Sequence, residues 1–83
     1  MICRNDITNN NDGIVAVTSV PIIKRNYLAK NRSNGIVMLK NAQANIAENL
    51  ISENEAVGLY LRDRCYGEID SNVINGNEID VAT

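Results

Sequence analysis

The stretch Gly13 to Ile23, Gly-Ile-Val-Ala-Val-Thr-Ser-Val-Pro-Ile-Ile, is the longest apolar segment of the chain and the richest in β-branched residues. Extended, it sends Ile14, Ala16, Thr18, Val20 and Ile22 to one face and Val15, Val17, Ser19, Pro21 and Ile23 to the other. Both faces are largely apolar, where a sheet wetted on one side would alternate, so the segment demands cover on both sides. In 83 residues that cover comes from one helix, a second sheet or another subunit. Pro21 removes a ladder donor and makes that end of the strand peripheral.

The flanking sequence is read around this strand. Met1 to Asp12, with Asn9, Asn10, Asn11 and Asp12 in succession, reads as a flexible polar arm, leaving residues 13–83 as a single compact domain. Lys24 to Ser33 reads as a loop, with a short strand over 26–32 as its alternative. Asn34-Gly35 is a turn pair opening a second strand, Ile36 to Leu39, apolar on both faces like the first. From Asn41 the period changes: Ala42, Ile46, Ala47, Leu50 and Ile51 share one face at helical spacing, which predicts an amphipathic helix over 41–52. Ala56 to Arg62 alternates as a strand, a second helix being the other reading of Ser52 to Leu61 because Ser52 and Glu55 could form a capping box. Short segments after Leu61, separated by Asp70-Ser71-Asn72 and Asn75-Gly76-Asn77, read as hairpins. The echo of Glu68-Ile69-Asp70 in Glu78-Ile79-Asp80 is read as chance rather than as a repeat. The expected fold is α+β, a mixed or antiparallel sheet of four or five short strands with one helix on its face.

The chemistry carried by the chain points away from catalysis. It has no His, so the commonest general base and the commonest zinc ligand are both missing. Ser19, Ser33, Ser52 and Ser71 have no partner to activate them, and no glycine-rich phosphate loop occurs. Cys3 and Cys65 read as two free thiols of a reducing compartment. Glu68, Asp70, Glu78 and Asp80 would form a carboxylate cluster only if two hairpin strands set them on one face. The calcium-loop reading of Asp70 to Gly76 fails because Ile74 takes a ligand position. No enzyme, metal or cofactor is expected.

Charge distribution says more than the net −2. Lys24, Arg25, Lys30, Arg32 and Lys40 fall in a stretch without acids, and acids dominate the second half. The basic stretch with Tyr27 is a thin nucleic-acid footprint on an acidic protein, which ranks that reading third. The first reading is a self-associating structural or accessory subunit, a homo-oligomer built head-to-tail with basic loop against acidic half. Its expected contacts are Val15, Val17, Ile23, Lys24, Arg25, Tyr27, Lys30, Arg32, Glu68, Asp70, Glu78 and Asp80. The second reading is a small inhibitor or adaptor that binds a host protein through its acidic half. Abundant Asn and Ile are what an AT-rich genome writes, which fits a viral particle or mobile element. No apolar run reaches the roughly 18 to 20 residues that span a bilayer, so the expected location is the cytoplasm, of a host if viral, or the virion, with no membrane association.

Overall fold

The computed structural model describes all 83 residues, and every regular element in it is a short strand. In chain order these are β1 (Ile2–Cys3), β2 (Asp6–Thr8), β3 (Ile14–Val17), β4 (Ile22–Lys24), β5 (Tyr27–Ala29), β6 (Ile36–Leu39), β7 (Gln43–Ala47), β8 (Leu50–Ser52), β9 (Val57–Leu61), β10 (Tyr66–Asp70), β11 (Val73–Asn75) and β12 (Ile79–Ala82). Each strand pairs in parallel with the strand three places along the chain. Three four-stranded sheets result: A, β1-β4-β7-β10; B, β2-β5-β8-β11; and C, β3-β6-β9-β12. The backbone is a coil of four rungs, each rung contributing one strand to every sheet. At about 4.8 Å per layer, four rungs make a coil about 19 Å tall.

The core runs up the inside of this coil in rows of like residues. Sheet A contributes Ile2, Ile23, Ile46 and Ile69; sheet B contributes Ile7, Leu28, Ile51 and Ile74; sheet C contributes Ile14, Ile36, Leu59 and Val81. Ile23, Leu28, Ile36, Met38, Ile46, Ile51 and Leu59 are completely buried. Aliphatic side chains of similar volume stack one above another at strand spacing. A narrow core without Phe or Trp is thereby filled.

Two corners of each rung use the same device. The residue after the sheet A strand is left-handed in all four rungs, Arg4, Arg25, Glu48 and Ser71 with φ between 56° and 58°. The residue after the sheet B strand repeats it in Asn9, Lys30, Glu53 and Gly76, with φ between 55° and 70°. A left-handed L-residue costs roughly 1–2 kcal/mol, yet it turns the chain within one residue. In every case the next residue is Asn.

The expected α+β architecture is overturned: the molecule has no helix and no antiparallel pair. Residues 41–52 form β7 and β8 joined by a Glu48-Asn49 corner. Ala44, Ile46 and Ile51 point inward and are buried, and an inward-facing pair on either side of a tight corner reproduces helical spacing. The Gly13 to Ile23 stretch is two strands in successive rungs, β3 and β4, with Pro21 between them. Its two faces part company, since Ile14 and Ala16 are buried within the chain while Val15 and Val17 are 50% and 46% exposed. The expected hairpins beyond Leu61 are β10, β11 and β12, each in a different sheet. Residues 1–12, expected as an arm, carry β1 and β2. The loop expected over 24–33 holds β5, so the short-strand alternative is the one seen. The strands expected at 36–39 and 56–62 are present as β6 and β9.

Candidate functional site

Asn5, Asn26, Asn49 and Asn72 stack in one column, and Asn10, Asn31, Asn54 and Asn77 in another, at spacings of 21, 23 and 23 residues. Within a column each Asn sends two hydrogen bonds to the Asn of the next rung. The backbone N–H of Asn31 donates to Oδ1 of Asn54 at 3.2 Å and its Nδ2 donates to the same oxygen at 2.8 Å. Asn54 repeats this toward Asn77 at 3.0 and 2.8 Å. The second Nδ2 hydrogen goes to a strand carbonyl of the preceding rung, Leu28 O for Asn54 and Ile23 O for Asn49. The amide both accepts and donates at short reach; ionised Asp cannot donate and Gln places the group too far out. Asn26, Asn31, Asn49 and Asn54 are buried, and no buried side-chain polar atom lacks a partner.

Beside the second column, glycine holds one register position of sheet C in three rungs, Gly13 and Gly35 just before β3 and β6 and Gly58 as the second residue of β9. A Cβ on Gly35 would lie 2.6 Å from Gly58 O and 3.0 Å from Nδ2 of Asn54; on Gly58 it would lie 2.6 Å from Nδ2 of Asn77. Glycine here leaves the room that the next rung's Asn fills. In the fourth rung the register puts Asp80 in this position.

The outer surfaces of the sheets differ. Register aligns Val15, Val37 and Tyr60 in one outward column of sheet C and Val17 and Leu39 in the next, and none of the five carries a charge. The Arg62 guanidinium lies 5.4 Å from the Tyr60 ring centroid at its edge. Sheet A by contrast presents Lys24, Glu68 and Asp70 outward.

The expected contact residues are scattered over this frame. Val15 and Val17 are on the outer face of sheet C, but Ile23 is wholly buried and belongs to the core. Lys24, Arg25, Tyr27, Lys30 and Arg32 all lie in the second rung. There Arg25 Nε donates to Glu48 Oε2 of the rung below at 2.6 Å, so the chain itself absorbs part of its charge asymmetry. That hydrogen bond, and then the Coulomb attraction behind it, hold the Glu48 carboxyl below its ordinary value and raise the Arg25 guanidinium. Glu68 and Asp70 sit on sheet A, Glu78 and Asp80 on or beside the edge of sheet C. The structure does not assemble them, and nowhere do three metal-ligating side chains gather. Cys3 and Cys65 are free and half-buried.

The asparagine columns were missed by sequence reasoning, though a signal was there. Ile-x-x-Asn-x-Ile/Leu-x-x-Asn occurs four times, beginning at Ile2, Ile23, Ile46 and Ile69. It is short, its x positions are unconstrained, and its spacing varies, so Asn was read residue by residue as turn composition. Comparison with known families agrees with the geometry: the family described as "Right handed beta helix region" matches residues 1–82. No curated protein and no solved structure matches the chain. The chain belongs to the right-handed β-helix family.

Proposed function

We propose that this member of the right-handed β-helix family is a non-catalytic structural subunit that self-associates side by side through the outer face of sheet C. The observation that carries the reading is an uncharged patch on this face in which Val15 and Val17 are half exposed and Leu39 and Tyr60 partly exposed, set around Val37, which is itself only 5% exposed. A sheet face bearing two aliphatic columns and a Tyr is apolar enough to gain from being covered. The parallel register already holds these side chains in columns, so little order remains to be lost on docking. A second copy brings the same patch, and two-fold pairing buries it on both partners. The scattered carboxylates and the lack of His support a role without catalysis.

Sedimentation velocity and light scattering across a concentration series test this. The unaltered chain should shift toward a dimer at micromolar concentration. The double variant Val15→Asp/Val17→Asp should keep the β-sheet circular dichroism spectrum and remain a monomer, since both residues point away from the core. An unaltered chain that stays monomeric at high micromolar concentration, or a double variant that associates equally well, overturns the reading.

A further inference from the structure

The two ends of the coil are complementary, row by row. At the N-terminal end a shallow concavity is lined by Ile2, Asn5, Ile7, Asn10, Gly13 and Ile14, one residue from each core row together with the first member of both asparagine columns and of the glycine column. At the other end the same rows finish in Ile69, Ile74 and Val81, of which Ile69 and Val81 are 41% and 49% exposed. The columns are polar. Asn5 and Asn10 spend their backbone N–H and Nδ2 on the rung below, and nothing donates to their Oδ1. Asn72 and Asn77 accept from above and offer backbone N–H downward. A second copy placed below in the same register would set Asn10 Oδ1 under the donors of Asn77 and Gly13 under Asp80.

That place is already taken. The Asn77 backbone N–H donates to Oδ1 of Asp80 at 3.3 Å and Asn77 Nδ2 donates to the same oxygen at 3.1 Å. These are the two bonds that Asn54 makes to Asn77 Oδ1 one rung above. Asp80 also stands where the three rungs before it have glycine, and there a Cβ points into the next rung's asparagine and carbonyl. A carboxylate accepts but does not donate, which is all that the last place in a donor-downward column requires. Asp12 fills the equivalent terminal place of a shorter column running the other way, accepting from Asn34 N and Nδ2 at 3.2 and 3.0 Å.

We propose that Asp80 is a stop residue: its carboxylate takes, within the chain, the acceptor place that Asn10 of a second copy would fill, and so closes the C-terminal edge to the N-terminal face of that copy. Open parallel edges are templates for further pairing, and an inward-directed charge at the edge is one way of blocking them. The inference concerns the end rungs and is independent of the outer face of sheet C.

Three variants of the full chain test it by small-angle scattering and amide exchange. Asp80→Gly restores the glycine column and removes the internal acceptor. It should form concentration-dependent rods that lengthen by about 19 Å per copy, four layers at about 4.8 Å each, with the Asn77 amide protected only in the rods. Asp80→Asn keeps both the acceptor and the Cβ and should scatter as the unaltered chain does. Asp80→Ala keeps the Cβ but loses the acceptor, and should speed Asn77 amide exchange at least tenfold without elongation. The proposal is overturned if Asp80→Gly keeps the unaltered chain's mass and shape at every concentration, or if Asp80→Asn elongates equally. Should Asp80→Gly fail to fold, unchanged Asn77 exchange in Asp80→Ala overturns the cap on its own.

Discussion

The third and fourth rungs carry the same sequence pattern and live in different surroundings. Ile46, Asn49, Ile51 and Asn54 have a rung on either side and are at most 2% exposed. Ile69, Asn72, Ile74 and Asn77 have a rung on one side only, and Ile69 is 41% exposed. A residue's share in stability is thus set less by its type than by the number of layers it touches, as expected where each repeat contacts only its neighbours. The ladder shows the same contrast: Asn54 is satisfied by the rungs above and below it, and Asn77 needs Asp80 to complete its set.

Paired substitutions break this comparison open. The largest effect is expected in the core row: Ile46→Ala should cost about 3–4 kcal/mol by urea denaturation, as a fully buried large-to-small change leaves a cavity between two layers. Ile69→Ala should cost only about 1 kcal/mol, because much of that side chain is already in water. Equal losses at the two positions would show that the rungs are not distinct layers energetically. Next come the columns. Asn54→Ala strands the Asn31 N–H and Nδ2 and the Leu28 carbonyl, at about 3 kcal/mol in all, and should speed exchange of the Asn31 amide. Asn77→Ala should cost about 1 kcal/mol less than that, since Asn77 is only half-buried. The comparison is sharpened if the Asn31 amide slows in Asn54→Asp at low pH, where a protonated carboxyl regains a donor.

The smallest effect is electrostatic and lies between the second and third rungs. Glu48 has its folded pKa lowered, first by the hydrogen bond from Arg25 and then by Coulomb attraction. It therefore contributes stability above the unfolded carboxylate pKa, and that contribution is lost as pH falls through the lowered folded value. Both side chains are largely in solvent, so the contribution is small. Urea midpoints followed from pH 7 to pH 2 should fall slightly further for the unaltered chain than for Glu48→Gln. Identical curves would remove the ion pair from the account of how the rungs are held.

Local strand character was legible wherever a run was apolar and bounded by Asn, Gly or Pro. Ile36 to Leu39 and Ala56 to Arg62 are read as strands from the sequence and stand as β6 and β9; Asn34-Gly35, read as a turn pair, instead leads straight into sheet C, the Gly35 N–H donating to Val57 O at 2.9 Å. Residues 41–52 were not, because Ala42, Ile46, Leu50 and Ile51 fit a helical face as well as two three- to five-residue strands meeting at a corner. Short strands carry too few alternations to outvote a chance period of four. The apolar excess of Gly13 to Ile23 was legible in the sequence, but that Val15 and Val17 face out while Ile14 and Ala16 face in was not.

What the sequence determined by itself is the inventory: aliphatic residues at regular places, turn-forming Asn between them, no aromatic bulk for a globular core and no imidazole for catalysis. The tertiary structure alone decided that like residues meet. Parallel coiling brings Ile2 to Ile23 and Asn31 to Asn54 across 21 and 23 residues of chain, and an asparagine that is only a turn former within its own rung becomes half of a buried hydrogen-bonded pair. The physical reason is that a ladder's energy belongs to the contact between rungs, so it exists only once a second rung is in place.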